Sequence, residues 1–393
     1  MTKYGIVLEG GGARGAYQLG AIKALKECGY DFNCIIGTSI GALNAAFIAQ
    51  GDIQKLEELW STLSFEDLID VNNQIANDAL SMKISPELLS ELSKKIKKAL
   101  KDKGIDTSLI KGILEKYIDE EKIRKSKIRF GLVTLCLTDM KPQKLYIEDI
   151  PQGDVVNYLM ATSNLPIFKR QKISDKSFLD GGAFDNCSVE MLYDEGYKDI
   201  IAIRLFTKRN RIRNYSKLIK KEDLNLIEII PSEELPFILN FDTKVLNALV
   251  EYGYVDTIKQ LKGYHGKKYC IKDVTKARIE SFNKMFTTKF STELSKYAKT
   301  PLKIGANIKN IAKDDTMKRI TKYITKKNIE NFDEQIIAIL EYVAQIEEVS
   351  KLNIYSLNEF IKETKKAVSK SDKKLTGMKK AIYYFVQNIP EEE

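Results

Sequence analysis

In the first half of the chain, apolar positions switch repeatedly between two spacings. Tyr4 to Leu8 is a short apolar run ending in glycines, the pattern of a buried strand. From Ala13 to Glu27 apolar residues return at Ala16, Leu19, Ile22, Ala24 and Leu25, which is helical spacing. Cys34 to Ile36 predicts a second strand, and the nearly all-apolar run Ile40 to Ala49 predicts a buried helix. This strand–helix–strand–helix order predicts an α/β fold, a parallel sheet with helices packed on it. Further strands are expected at 128–137, 144–147, 177–179, 200–205 and 226–230, and further helices at 155–161 and 243–261.

Two stretches break this rhythm. Residues from about 53 to 125 are helical in period and rich in Lys and Glu, which predicts a helical insertion. Beyond about residue 276, Pro and Gly nearly vanish and lysines recur at helical intervals, which predicts a C-terminal all-helical, lysine-rich region. The expected organisation is therefore an α/β domain over 4–206, an extension of its core over 207–275 and a helical domain over 276–393.

Composition narrows the chemistry. With 393 residues and 44% hydrophobic content the chain can bury a sizeable core, and with 30% charged residues it is neither fibrous nor wholly disordered. Lys and Arg number 63 against 54 Asp and Glu, a net charge of +9. His265 is the one histidine, so a multi-histidine metal site is excluded. The cysteines (Cys28, Cys34, Cys136, Cys187 and Cys270) are odd in number with no C-x-x-C pair, so neither a disulfide framework nor a zinc knuckle is expected. No apolar run approaches the roughly 18 residues of a membrane span, and the chain enters its first strand without a secretory leader. The expectation is a soluble, cytoplasmic protein with reduced thiols. No known nucleic-acid motif accompanies the positive charge, so no nucleic-acid partner is expected.

Three motifs carry candidate chemistry. Glu9-Gly10-Gly11-Gly12-Ala13-Arg14-Gly15 lies between a strand and a helix. Glycines let a ligand approach the backbone, and a helix start offers unpaired N–H groups to an anion. The same residues suit a tight turn, and Gly10, Gly12 and Gly15 also fit the G-x-G-x-x-G of dinucleotide sites. Gly37-Thr38-Ser39-Ile40-Gly41 is G-x-S-x-G, again between strand and helix, where a serine hydroxyl is pushed forward on a sharp bend. It also weakens the dinucleotide reading, because the second strand ends in Gly-Thr-Ser rather than the acidic residue a ribose needs. Asp180-Gly181-Gly182 sets a carboxylate at a strand end, in what is otherwise an ordinary Asp-Gly turn.

Taken in this order, the glycine-rich loop, the G-T-S-I-G turn and the D-G-G turn resemble the patatin-like phospholipase family. Ala161 to Phe168 is similar to the segment that precedes the family's aspartate, and Asn186 follows Asp180-Gly181-Gly182 as in the family's D-G-G-x-x-x-N pattern. The resemblance covers about residues 4–206, with a fainter extension to about 262. Asn164 and Ser188 depart from it, standing where a small apolar residue and a proline are usual.

The resemblance implies a three-layer α/β/α fold with a mainly parallel central sheet, and a lipid acyl hydrolase working through a serine–aspartate dyad and an acyl-enzyme, with no metal or organic cofactor. Ser39 would be the nucleophile and Asp180 the general base. Backbone N–H groups of Gly10, Gly11, Gly12 and Ala13, with Ile40, would form the oxyanion hole; Arg14, Gly15, Gly37, Gly41, Gly181 and Gly182 would support the motifs. Arg14 is open between holding a substrate phosphate and pairing with a carboxylate. The expected partner is a phospholipid or other acyl-ester lipid. Within 296–327, lysines interleave with isoleucines at helical spacing, which suits either peripheral contact with an anionic membrane or an ordinary packed helix. An acyltransferase and a non-catalytic lipid-binding protein on the same scaffold are the alternatives.

Overall fold

The computed structural model describes residues 4–64, 67, 106–166, 168–207, 215–301 and 307–391. Most of the expected insertion at 53–125 lies outside them; its described parts are helices at Ile53–Thr62, Ser108–Tyr117 and Glu120–Arg124. The chain forms two compact units, 1–258 and 259–393.

The first unit is built on eight strands: β1 (Tyr4–Leu8), β2 (Phe32–Thr38), β3 (Arg129–Cys136), β4 (Lys141–Tyr146), β5 (Gln171–Ile173), β6 (Lys176–Asp180), β7 (Asp199–Ile203) and β8 (Asn225–Ile229). They follow the order β5-β6-β3-β2-β1-β7-β8, with β4 paired to β3. The run β3-β2-β1-β7-β8 is parallel throughout, and β4, β5 and β6 pair antiparallel. Side chains alternate across the sheet with period two. Val7, Cys34, Ile36, Ile200 and Ala202 meet Met191 and Leu192 of the helix Val189–Asp194 on one face. Ile6, Leu8, Ile35, Ile201 and Ile203 are buried on the other, the side of α1 (Ala16–Glu27) and α2 (Ile40–Ala49). The result is the expected three-layer fold. α1 crosses the helix Thr243–Lys262 closely enough that a Cβ on Gly20 would lie 1.8 Å from the Val250 carbonyl oxygen, and one on Gly253 would lie 1.9 Å from that of Tyr17.

One register detail sets up the site. Residues 131–136 of β3 pair along one edge with β4. The other edge is shared: β2 takes 129–133 and β6 takes 134–136. β2 runs parallel to β3 and ends with Thr38 opposite Val133, while β6 runs antiparallel and ends with Asp180 opposite Thr134. Two strands far apart in sequence thus arrive head to head at neighbouring rungs.

The second unit is helical, around a core that includes Phe282, Phe290, Leu294, Ile336, Leu340, Val343, Phe360 and Phe385. It also holds a two-stranded parallel ribbon of Cys270–Lys272 and Ile354–Ser356, too short to register in the hydrophobic pattern. Ser356 and Glu359 form a reciprocal cap at the start of the helix Leu357–Ser369. In the lysine-rich stretch, Ile311 is buried, Met317 and Ile320 lie in this unit's own core, and Lys318 and Lys322 are exposed; Lys303 and Ile304 lie outside the described residues. His265 is exposed, and its backbone bridges Ile271. All five cysteines are free, and all but Cys28 are buried. No described helix is long and apolar enough to cross a membrane.

Candidate active site

Ser39 sits on the bend between β2 and α2 with φ 54° and ψ −129°, a backbone conformation that costs a non-glycine residue on the order of 1–3 kcal/mol. The surroundings hold it there. Its N–H donates to Thr162 Oγ1 at 3.0 Å, and the Thr162 hydroxyl donates to the Val133 carbonyl at 2.5 Å. Gly37 and Gly41 let strand and helix fold back on each other. A Cβ on Gly37 would lie 2.2 Å from the Gly41 carbonyl carbon, and one on Gly41 would lie 2.3 Å from the Leu8 carbonyl oxygen.

Asp180 closes β6 and is 6% exposed. Its N–H donates to the Asn164 carbonyl at 2.8 Å, and its Oδ1 accepts from the Gly182 N–H at 2.7 Å. Burial pushes its carboxyl up to about 6, although hydrogen bonds from the Ser39 side chain and the Gly182 N–H pull the other way. Thr38 and Asp180 lie opposite neighbouring residues of β3, and Ser39 and Asp180 line the same cavity. A carboxylate of that pKa is a far better proton acceptor than an ordinary one and is still ionised at neutral pH. Of the two departures from the family pattern, Asn164 Nδ2 donates to the Phe178 carbonyl at 3.0 Å, just ahead of Asp180, and Ser188 Oγ donates to Asp185 Oδ2 at 2.7 Å.

The glycine-rich loop follows β1, and Gly12 takes φ +57°, turning the backbone towards Ile238. Two of its N–H groups are occupied: Gly10 donates to the Asn186 carbonyl at 3.1 Å and Ala13 to the Ile238 carbonyl at 2.8 Å. Among the described residues, the N–H groups of Gly11, Gly12 and Ile40 take no such partner, and all three residues line the cavity in front of Ser39. Of the five residues expected around an oxyanion, these three thus have the N–H groups left without a backbone partner. Asn186 returns the bond from Gly10, donating from Nδ2 to the Gly10 carbonyl at 2.9 Å. This reciprocal pair clamps the glycine loop to the turn that carries Asp180.

Arg14 does not reach for substrate. It is 7% exposed and donates to the carbonyls of Pro236 (2.7 Å), Leu235 (2.9 Å) and Leu205 (3.2 Å), pairs with Glu234 at 3.3 Å, and lies 4.5 Å over the Phe206 ring. Glu9, also buried, accepts from the Leu205 N–H at 2.6 Å and pairs with Arg204 at 3.3 Å. Together they anchor segments 204–206 and 234–238 against the loop. Arg14→Ala is expected to lower stability by about 2–4 kcal/mol, because charge-assisted bonds to several carbonyls are lost. Arg14→Lys should recover little, since an ammonium lacks the fork that reaches them all; urea denaturation of the three proteins checks both expectations.

Ser39 and Asp180 face a cavity of about 420 Å³. Three helical faces form its walls: Ile40, Leu43, Asn44 and Phe47 of α2; Leu56, Leu59 and Trp60 of α3 (Ile53–Thr62); and Ile110, Ile113 and Leu114 of the helix Ser108–Tyr117. Phe206, Ile238, Leu239 and Phe241 complete it from the anchored segments. Asp180 is the one ionisable side chain among these lining residues. Thr162 lies in the Ala161–Phe168 segment expected from the sequence, but its bonds to Ser39 and Val133 carry no sequence signal, nor do those of Leu235 and Pro236 to Arg14, 221 and 222 positions away.

Residues 6–193 match the family model for patatin-like phospholipase. The chain is 25% identical over 292 residues to patatin-like phospholipase domain-containing protein 7 of Rattus norvegicus, covering 72% of this chain and 19% of that protein. It is 59% identical over 46 residues to lysophospholipase nte1 of Aspergillus terreus, covering 12% of this chain and 3% of that protein. It is 25% identical over 208 residues to probable lipid hydrolase 463L of Invertebrate iridescent virus 6, covering 52% and 65% respectively. The matches thus span a fifth or less of the first two relatives and just under two thirds of the viral one. Among solved structures, VipD from Legionella pneumophila aligns over 99% of this chain and 92% of its own, with 15% identity and a TM-score of 0.43.

Proposed function

We propose that the chain, whose residues 6–193 match the family model for patatin-like phospholipase, is a lipid acyl hydrolase of the phospholipase or lysophospholipase type. Its nucleophile is Ser39 and its general base Asp180. The observation that carries this reading is that Ser39 and the buried Asp180 carboxyl, raised to about 6, line one apolar cavity. Asp180 takes the hydroxyl proton as Ser39 Oγ attacks the ester carbonyl. The developing oxyanion is held by the N–H groups of Gly11, Gly12 and Ile40, each donor worth on the order of 100- to 1000-fold in rate. The alcohol leaves with the proton returned by Asp180. Water then attacks the acyl-enzyme with Asp180 again as base, releasing a fatty acid and regenerating Ser39.

The substrates suggested are lysophospholipids and related acyl esters, in keeping with the names of the relatives. The test incubates wild-type and Ser39→Ala protein with a mixed lipid extract and follows released fatty acid by mass spectrometry. A fluorophosphonate should label the wild type on Ser39 and leave the variant unmodified. Equal fatty-acid release by the two proteins would remove Ser39 from the mechanism.

A further inference from the structure

The cavity runs along a single face of α2. Ile40, Leu43, Asn44 and Phe47 follow one another at helical spacing from beside Ser39, a path of about 10 Å at 1.5 Å per residue. Halfway along it stands an unexpected polar residue. Asn44 is 1% exposed in a helix whose other buried side chains are apolar. Its bonds account for it: Nδ2 donates to the Gly15 carbonyl and to Gln18 Oε1, both at 2.9 Å, and Oδ1 accepts from the Trp60 indole N–H at 3.1 Å. Gln18 in turn donates to the Glu9 carbonyl at 2.7 Å. A satisfied buried network of this kind holds its members in one arrangement. Gly15 contributes by omission, since a Cβ there would lie 3.0 Å from Trp60 Cζ2 and 2.6 Å from Ile40 Cγ1.

We propose that the Trp60 indole, fixed by Asn44, is the selectivity wall of an acyl channel along α2, and that this channel takes one unbranched acyl chain. The assignment rests on the hydrolase reading above and names what that site selects. The indole is buried and braced from two sides, so it cannot retreat from a substituent at mid-chain. Trp60 sets the width of the channel, and Asn44 is a positioning residue that acts through it. A rigid apolar wall discriminates a misplaced methyl group by roughly 10- to 200-fold.

The test uses p-nitrophenyl esters of straight acyl chains and of chains with the same carbon count and a methyl branch midway. The wild type is expected to favour the straight ester by at least about tenfold in kcat/KM. Trp60→Ala should bring that ratio close to one. Asn44→Leu, which retains the indole and unties it, should lower the ratio several-fold through KM for the branched ester. Trp60→Phe, which loses only the indole N–H and part of the wall, should fall between wild type and Trp60→Ala, and it covers the case in which the alanine variant fails to fold. Trp60 is the single tryptophan of the chain, so its fluorescence reports this wall alone. Palmitate added to Ser39→Ala protein should change its emission saturably.

A straight-to-branched ratio unchanged within twofold in folded Trp60→Ala or Trp60→Phe protein would overturn the assignment. So would an active wild-type enzyme whose Ser39→Ala form shows no emission change with palmitate. Absent hydrolysis together with a saturable palmitate response would instead fell the hydrolase reading and leave the channel in place.

Discussion

Asp180→Asn is expected to abolish ester hydrolysis, by about a thousandfold or more in kcat, and at the same time to stabilise the protein at neutral pH. Both effects have one cause. Burial raises the carboxyl from its ordinary 3.8 to about 6, so the folded state holds the proton more tightly than the unfolded chain. Below about pH 4 the group is protonated in both states and contributes no penalty. As pH rises from 4 through 6 the unfolded chain ionises first, and folding stability falls relative to the asparagine variant. Above about pH 6 the deficit is complete, of order 3 kcal/mol, since each tenfold difference in proton affinity between the two states is worth about 1.4 kcal/mol. Melting curves should therefore separate at pH 8, with the variant higher by several degrees, and converge near pH 4. The wild-type rate should follow the ionised carboxylate, kcat/KM rising through about pH 6 and levelling above it. A flat profile between pH 5 and 8, or equal melting temperatures at pH 8, would show that Asp180 does not carry a buried charge. A site that costs stability to work is a common trade-off in enzymes.

Gly37→Ala is expected to damage fold and activity together, because its clash falls at the bend that carries Ser39. The new carbon would lie 2.2 Å from the Gly41 carbonyl carbon and 2.4 Å from the Ala42 nitrogen, against an ordinary contact of about 3.5 Å. Both neighbours are backbone atoms at the first turn of α2, so no rotamer change relieves the clash. β2 and α2 must separate by more than 1 Å, at a cost of about 3 kcal/mol or more. Ser39 lies two residues away, and a displacement of 1 Å from the reacting geometry is enough to lose about a hundredfold in rate. Urea denaturation and p-nitrophenyl ester turnover should show both losses, whereas Gly51→Ala, where nothing stands within 4 Å of the added carbon but φ is +86°, should show only a modest backbone cost. Wild-type turnover by folded Gly37→Ala protein would mean that the bend tolerates more play than its contacts imply.

Much of the framework was legible because it is written in local patterns. Short apolar runs and helical spacings located β1, β2, β3, β7 and β8, along with both helices that follow the chemical motifs, since a buried strand needs apolar residues on both faces and a packed helix one at every third to fourth residue. The short strands β5, Cys270–Lys272 and Ile354–Ser356 escaped, because three residues are too few to show a period. Asn186 was visible as part of a motif, yet its work, two bonds across the glycine loop, was not.

What the sequence determined by itself was chemistry at bends: a serine where strand turns to helix, a carboxyl beside two glycines, and loops too bare of side chains to obstruct a ligand. Only the tertiary structure decided that β2 and β6 end head to head on one edge of β3, that Arg14 is spent on carbonyls more than 190 residues away, and that Asn44 braces Trp60. The physical reason is range. Backbone conformation and amphipathic period act over a few residues, whereas strand register, desolvation of a carboxyl and the shape of a cavity arise from contacts between segments that meet only when the whole unit has packed.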